Sequence, residues 1–236
     1  MRGMSVLLRV EGVSKRFGGV RAVDGMSLDV SPASVVGVIG PNGSGKTTFL
    51  GLLSGTYRPD AGRITLDGAR VDGLAAHRTV AAGIARTFQT TRLFAGWTLR
   101  ANLDAAAAAR PGAPDHAEVL ALTGLAGREE AVCASLSNAE QRLAMIAVAL
   151  ATRPKLLLLD EPAVGMSPAE AASLARGIGR IRDARGVAVL IVEHNMHLMM
   201  NLAERIVVMN AGRKLAEGSP AEMRANPDVI ACYLGS

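Results

Sequence analysis

Residues 34–50 read Ser34-Val35-Val36-Gly37-Val38-Ile39-Gly40-Pro41-Asn42-Gly43-Ser44-Gly45-Lys46-Thr47-Thr48-Phe49-Leu50. The run Ser34–Ile39 is short, apolar and rich in β-branched residues, which predicts a buried strand ending at Gly40. Thr47–Ser54 predicts a helix. Between them, residues 40–47 fit G-x-x-x-x-G-K-[ST]. Glycines at 40, 43 and 45 let the backbone wrap closely around phosphates with its N–H groups pointing inward. The helix behind them adds its positive N-terminal end. Lys46 offers a charge to the β- and γ-phosphates and Thr47 a hydroxyl to Mg²⁺. Pro41, Asn42, Ser44 and Thr48 complete the stretch expected to line the nucleotide. Kinases, GTPases and motors share this loop, so alone it specifies only a P-loop nucleotide binder.

A second anchor is Leu156-Leu157-Leu158-Leu159-Asp160-Glu161. Four leucines predict a fully buried strand that carries Asp160 to the end of the sheet, where ligands of such folds bind. Asp160 there would hold Mg²⁺ through water. Glu161, one residue on, would polarise the attacking water. An adjacent glutamate favours hydrolysis over transfer to a second substrate.

Around these anchors the chain alternates between strand and helix. Val6–Val10, Met26–Val30, Arg63–Leu66, Val187–Val192 and Ile206–Met209 read as further strands, with Gly25 and Phe17-Gly18-Gly19 as breaks between the first two. Pro168–Arg182, capped by Ser167, and Met196–Leu202 read as helices, and the tail from Pro220 as short helices. From about 92 to 150 strand signals vanish and Ala and Leu dominate, so this stretch reads as a mostly helical insert, with Ala105–Ala109 helical and Pro111–Pro114 a loop. Continuous apolar strands alternating with helices imply an α/β fold with a mostly parallel sheet covered on both faces. No internal repeat is present.

Composition narrows the class. Aromatics make up 3% of the 236 residues and no dense Lys/Arg block occurs, which argues against nucleic-acid binding. The net charge of +5 reads as an ordinary solvated surface or a weak pull toward an anionic membrane face. Cys133 and Cys232 fit no metal spacing and suit a reducing compartment. No apolar run reaches the ~20 residues that cross a bilayer, and Met1–Val10 lacks the pattern of a secretory signal.

Together with the motifs that follow, these anchors resemble, in order, the ABC (ATP-binding cassette) ATPase superfamily over essentially the whole chain, from about residue 4 to 236 as one domain. The resemblance implies a P-loop NTPase of the ABC ATPase fold, with an N-terminal antiparallel β subdomain and the helical subdomain inserted at about 92–150. Phe17, in Lys15-Arg16-Phe17-Gly18-Gly19, resembles the aromatic that stacks on adenine. Gln89, in Arg86-Thr87-Phe88-Gln89, resembles the Q-loop glutamine that touches Mg²⁺ and the water. Leu136-Ser137-Asn138-Ala139-Glu140 stands where the family has Leu-Ser-Gly-Gly-Gln, with Asn138 and Ala139 in place of both glycines. Ser137 would grip the γ-phosphate of ATP held by a second ATPase subunit, and Ala139 raises the question of a weakened site. Val164-Gly165-Met166-Ser167 resembles the D-loop, and His194 the switch histidine that bonds the γ-phosphate.

Gly83–Gln89, Arg92-Leu93-Phe94 followed by Leu99 and Asn102-Leu103, Glu161–Met166, Val192-Glu193-His194-Asn195-Met196 and the ending Asn226–Ile230 with Tyr233-Leu234-Gly235 are similar to the ATPases of branched-chain amino acid importers. That branch implies ATP and Mg²⁺ as ligands and transmembrane permease subunits as partners, with a solute-binding protein engaged indirectly. It implies a peripheral position on the cytoplasmic face of the inner membrane. A non-transport ABC ATPase acting in DNA repair or translation, and a regulatory ATP-binding module with weak turnover, remain open alternatives at this level.

Overall fold

The computed structural model describes residues 6–109 and 115–234. In chain order these form β1 (Leu8–Phe17), β2 (Val20–Val30), β3 (Val35–Ile39), α1 (Lys46–Leu53), β4 (Ala61–Leu66), β5 (Ala69–Arg70), α2 (Ala76–Ala82) and β6 (Ile84–Arg86). Then come α3 (Leu99–Ala107), α4 (His116–Thr123), a 3₁₀ turn at Cys133–Ser135, α5 (Asn138–Ala151), β7 (Leu156–Asp160) and α6 (Pro168–Arg185). The chain continues with β8 (Ala188–Val192), α7 (Met196–Leu202), β9 (Arg205–Asn210), β10 (Arg213–Gly218), α8 (Pro220–Ala225) and α9 (Pro227–Leu234).

Two sheets result. One is antiparallel, in the order β2-β1-β4-β5. The other runs β10-β9-β3-β8-β7-β6 and is parallel except for its edge strand β10. Every residue of β3, β7 and β8 is buried, as expected for strands covered on both faces. Their side chains alternate between two apolar layers. Val35, Ile39, Leu157, Leu159, Val189 and Ile191 join the layer that includes residues of α5, α6 and α7. Val36, Val38, Leu156, Leu158, Leu190 and Val192 join the layer of α1 and the antiparallel sheet. Leu99, Leu103, Val119 and Leu120 of α3 and α4 pack in the first layer, so the helical stretch shares a core with the sheet.

Several expectations change. The first two strands extend beyond Val6–Val10 and Met26–Val30 to form a long hairpin that turns at Gly18-Gly19. Gly25 lies inside β2, at φ 65°, and absorbs an irregularity in register instead of ending the strand. α3 stops at Ala107, short of Ala109. β6, β10 and α2 had no clear signal: β6 has three residues ending in Arg86, β10 is a partly exposed edge, and α2 lacks a side-chain cap. The Pro111–Pro114 loop lies outside the described residues. Ser167 does cap α6 in a capping box with Glu170, with Pro168 in the first turn. Both cysteines are free. Among the described residues no helix is long and apolar enough to cross a membrane.

Candidate active site

The loop between β3 and α1 owes its shape to two glycines. Gly45 caps α1 at φ 100°, and a Cβ there would lie 2.2 Å from the Ala22 carbonyl oxygen. A Cβ on Gly40 would lie 2.1 Å from the Met209 carbonyl oxygen. Backbone therefore crowds both positions, and no side chain can be accommodated by a rotamer change. The Gly212 N–H donates to the Ser44 carbonyl at 3.0 Å, and the Asp24 N–H to the Gly212 carbonyl at 2.8 Å, so β2 and the β9–β10 turn hold the loop from behind. The Lys46 ammonium donates to the carbonyls of Gly40 and Pro41, both at 2.8 Å, and to Ser44 Oγ at 3.3 Å. Burial holds its pKa below the ordinary lysine range, against the pull of Glu161 and Asp160.

Strand parity sets the carboxylates. Asp160 continues the face of Leu156 and Leu158, which is the face of α1 and Lys46. Its Oδ2 accepts from Arg86 at 2.8 Å in a pair buried on both sides. Burial pushes the Asp160 carboxyl above the ordinary range, with the Arg86 guanidinium pulling the other way. Oδ1 is buried and has no protein partner. A buried acceptor left open beside a phosphate loop fits a hydrated cation. Thr47 lines the adjoining cleft with Gln89, so the donor set is oxygen only, which suits Mg²⁺ bound partly by substrate phosphates. Glu161 turns off the strand with φ 49°, an uncommon conformation for a residue with a Cβ, and lines the phosphate-loop cleft beside Lys46 and Thr47. Its Oε1 lies 2.8 Å from His194 Nε2.

One cleft of about 530 Å³ gathers Asn42, Gly43, Gly45, Lys46, Thr47, Thr48, Gln89, Glu161 and His194, residues from four separate stretches of the chain. Gly40, Pro41 and Ser44 form the base of the loop behind it, as the Lys46 bonds show. Phe17 is outside that lining. It is 44% exposed, edge-on to Tyr57 with ring centroids 5.1 Å apart, so it is not a core residue. Ser137 is also outside the cleft. It caps α5, accepting from the Glu140 N–H at 3.2 Å while Glu140 Oε2 accepts from the Ser137 N–H at 2.9 Å. Ala139 sits in the first turn of α5, in helical backbone, so its methyl needs no left-handed conformation.

Comparison with known proteins settles the family. A profile described as ABC transporter matches residues 23–164, and one described as branched-chain amino acid ATP-binding cassette transporter matches residues 213–236. The chain belongs to the ABC transporter family. It is an ABC ATPase cassette. The high-affinity branched-chain amino acid transport ATP-binding protein BraF of Pseudomonas aeruginosa is 40% identical to it, over 97% of this chain and 98% of BraF. LivG of Escherichia coli K12, with the same description, is 37% identical over 97% and 98%. The crystal structure of a nucleotide-free ATP-binding cassette from an ABC transporter superposes with a TM-score of 0.89 at 27% identity, covering 98% of this chain and all of that one.

Three residues of the cassette escaped sequence reasoning. Arg86 looked like flanking sequence of Gln89, yet it is the partner of Asp160. Glu140 is a third departure from Leu-Ser-Gly-Gly-Gln, visible by simple comparison with that pattern, and it pairs with Arg128 at 2.6 Å. Glu193, next to His194, is a buried acid (2% exposed) whose bonds all go to backbone N–H groups. No local signal separates it from a surface glutamate.

Proposed function

We propose that this cassette hydrolyses ATP to drive import of branched-chain or related amino acids, docked on permease subunits at the cytoplasmic face of the membrane. The observation that carries the hydrolytic part is the single cleft that collects phosphate loop, Gln89, Glu161 and His194. The import part is supported by the residues 213–236 match and by the names of the relatives.

In this reading the N–H groups of residues 42–48 and the Lys46 ammonium hold the β- and γ-phosphates. Thr47, Asp160 and Gln89 would hold Mg²⁺, which neutralises phosphate charge when bound. Glu161 orients the attacking water and accepts its proton. The 2.8 Å contact with His194 fixes the carboxylate before substrate arrives, and the imidazole is then within reach of the γ-phosphate. Phe17, exposed at the hairpin tip, offers a face to adenine. Ser137 lies outside its own cleft, which is what the reading requires, since it would serve the ATP of a second ATPase subunit packed head to tail. Phe94 and Trp97, exposed and stacked with centroids 4.5 Å apart, mark with Gln89 the face for a permease helix. The solute-binding protein would act only through the permeases.

The test is Glu161→Gln. It should keep ATP bound, abolish turnover and accumulate a closed dimer in gel filtration with ATP. Turnover at the unmodified rate removes Glu161 as the base.

A further inference from the structure

Glu193 follows β8 on the parity of Val189 and Ile191, the face of α6 and α7, opposite to the phosphate side. Its carboxylate is placed between two loops. Oε1 accepts from the Ala163 N–H at 2.6 Å, and Oε2 accepts from the N–H groups of His194 at 3.0 Å and Asn195 at 3.2 Å. The first loop begins at Glu161 and runs through Gly165 to the Ser167 cap of α6. The second carries His194 and ends at Asn195, whose side chain caps α7 through the Leu198 N–H. A parallel tie runs beside it, the Glu161 N–H to the Val192 carbonyl at 2.9 Å.

A carboxylate taken out of water needs hydrogen-bond partners in compensation, and among the described residues three backbone N–H groups supply them. A neutral side chain such as serine could serve one loop. Only a group that is acceptor at both ends serves both at once.

We infer that Glu193 is a positioning residue for hydrolysis, a buried clamp that locks the turn bearing His194 to the loop that follows Glu161. The inference rests on Glu161 and His194 being the hydrolytic pair. The clamp holds their side chains at contact distance and makes the 161–167 loop and the His194 turn move as one body. A displacement of that loop by a neighbouring subunit would then reach His194 directly.

The experiment uses the full-length chain with Glu193→Gln and Glu193→Asp. Glutamine keeps the shape but presents an NH₂ group to one set of N–H donors. Aspartate keeps the charge and can serve its own turn, yet is one methylene too short to reach Ala163. Both variants should bind a fluorescent ATP analogue within about twofold of wild type, because the phosphate loop is untouched. Both should lose kcat by tenfold or more, as a misplacement of about 1 Å allows roughly 100-fold. Amide hydrogen exchange should quicken at Ala163 in the aspartate form and, in the glutamine form, at whichever set faces the NH₂ group, Ala163 or His194 with Asn195, with α1 unchanged. If glutamine prevents folding, aspartate carries the test alone. Normal kcat in the folded variants overturns the inference. So does a loss of kcat matched by an equal loss of nucleotide affinity and protection throughout the chain, which marks a merely structural acid. Glu161→Gln assayed in parallel separates the two ideas: normal turnover there refutes the base assignment. Lost turnover there beside normal Glu193 variants refutes the clamp alone.

Discussion

Replacing Arg86 by methionine removes the cation from a pair in which the Arg86 side chain is 6% and the Asp160 side chain 1% exposed. Methionine fills a similar volume, so the main consequence is a buried carboxylate without its charge partner. Breaking such a pair costs about 3–5 kcal/mol. The 3.2 Å bond from Arg86 to Ser54 Oγ and the contact of its guanidinium with Phe88, 5.0 Å from the ring centroid, add to the loss. Domains of this kind are stable by about 5–15 kcal/mol, so the variant should remain folded in the cold with a much lower urea midpoint. Burial already raises the Asp160 pKa in the intact protein, and removal of Arg86 raises it further. An acid whose folded-state pKa lies above its unfolded value gains relative stability as pH falls through the folded value. The deficit of Arg86→Met should therefore narrow on acidification. Adding Asp160→Asn should recover much of the loss at neutral pH. The assay is urea unfolding followed by circular dichroism at several pH values, for both single variants and the double. A deficit under about 1 kcal/mol, or single effects that simply add in the double, refutes the idea that the pair is a coupled buried unit.

Phe17→Ala should barely change the unfolding midpoint, since the ring is largely exposed, but should weaken ATP binding by about 1–2 kcal/mol; unchanged affinity in a titration removes Phe17 from the nucleotide site. Ala139→Gly should cost about 0.5–1 kcal/mol of stability by loosening the first turn of α5 and should preserve or raise ATPase activity; a clear fall in activity shows that the methyl is used. The capping-box acids Glu140, Glu170 and Glu222 all have pKa values held below the ordinary range, chiefly by the backbone N–H groups of Ser137, Ser167 and Ser219. With folded values below unfolded ones, their contribution is complete above the ordinary carboxylate range and is lost as pH falls through the lowered values. Removing all three with glutamine should flatten the acid limb of a thermal-unfolding profile, and an unaltered limb counts against the caps.

Residue order alone determined the P-loop, the Leu156–Asp160 strand and the alternation that makes a mostly parallel sheet. Each depends on local facts: glycine where backbone crowds in, four leucines where both faces are covered, a serine and proline where a helix begins. Gln89, Glu161 and His194 could be picked out as candidates because each sits at a strand end or loop in a recognisable order, and the structure brings all three to one cleft. Partners that depend on distance through space were not legible. Arg86 and Asp160 are separated by 74 positions and meet only because β6 lies beside β7. Glu193 and Ala163 meet over 30 positions because β8 lies beside β7. Strand neighbours in a parallel sheet are set by long crossovers, and a carboxylate's burial follows from what packs over it. Sequence supplied the candidate groups, and tertiary structure decided which acceptors are left open, as at Asp160 Oδ1, and which are already taken, as at Glu193.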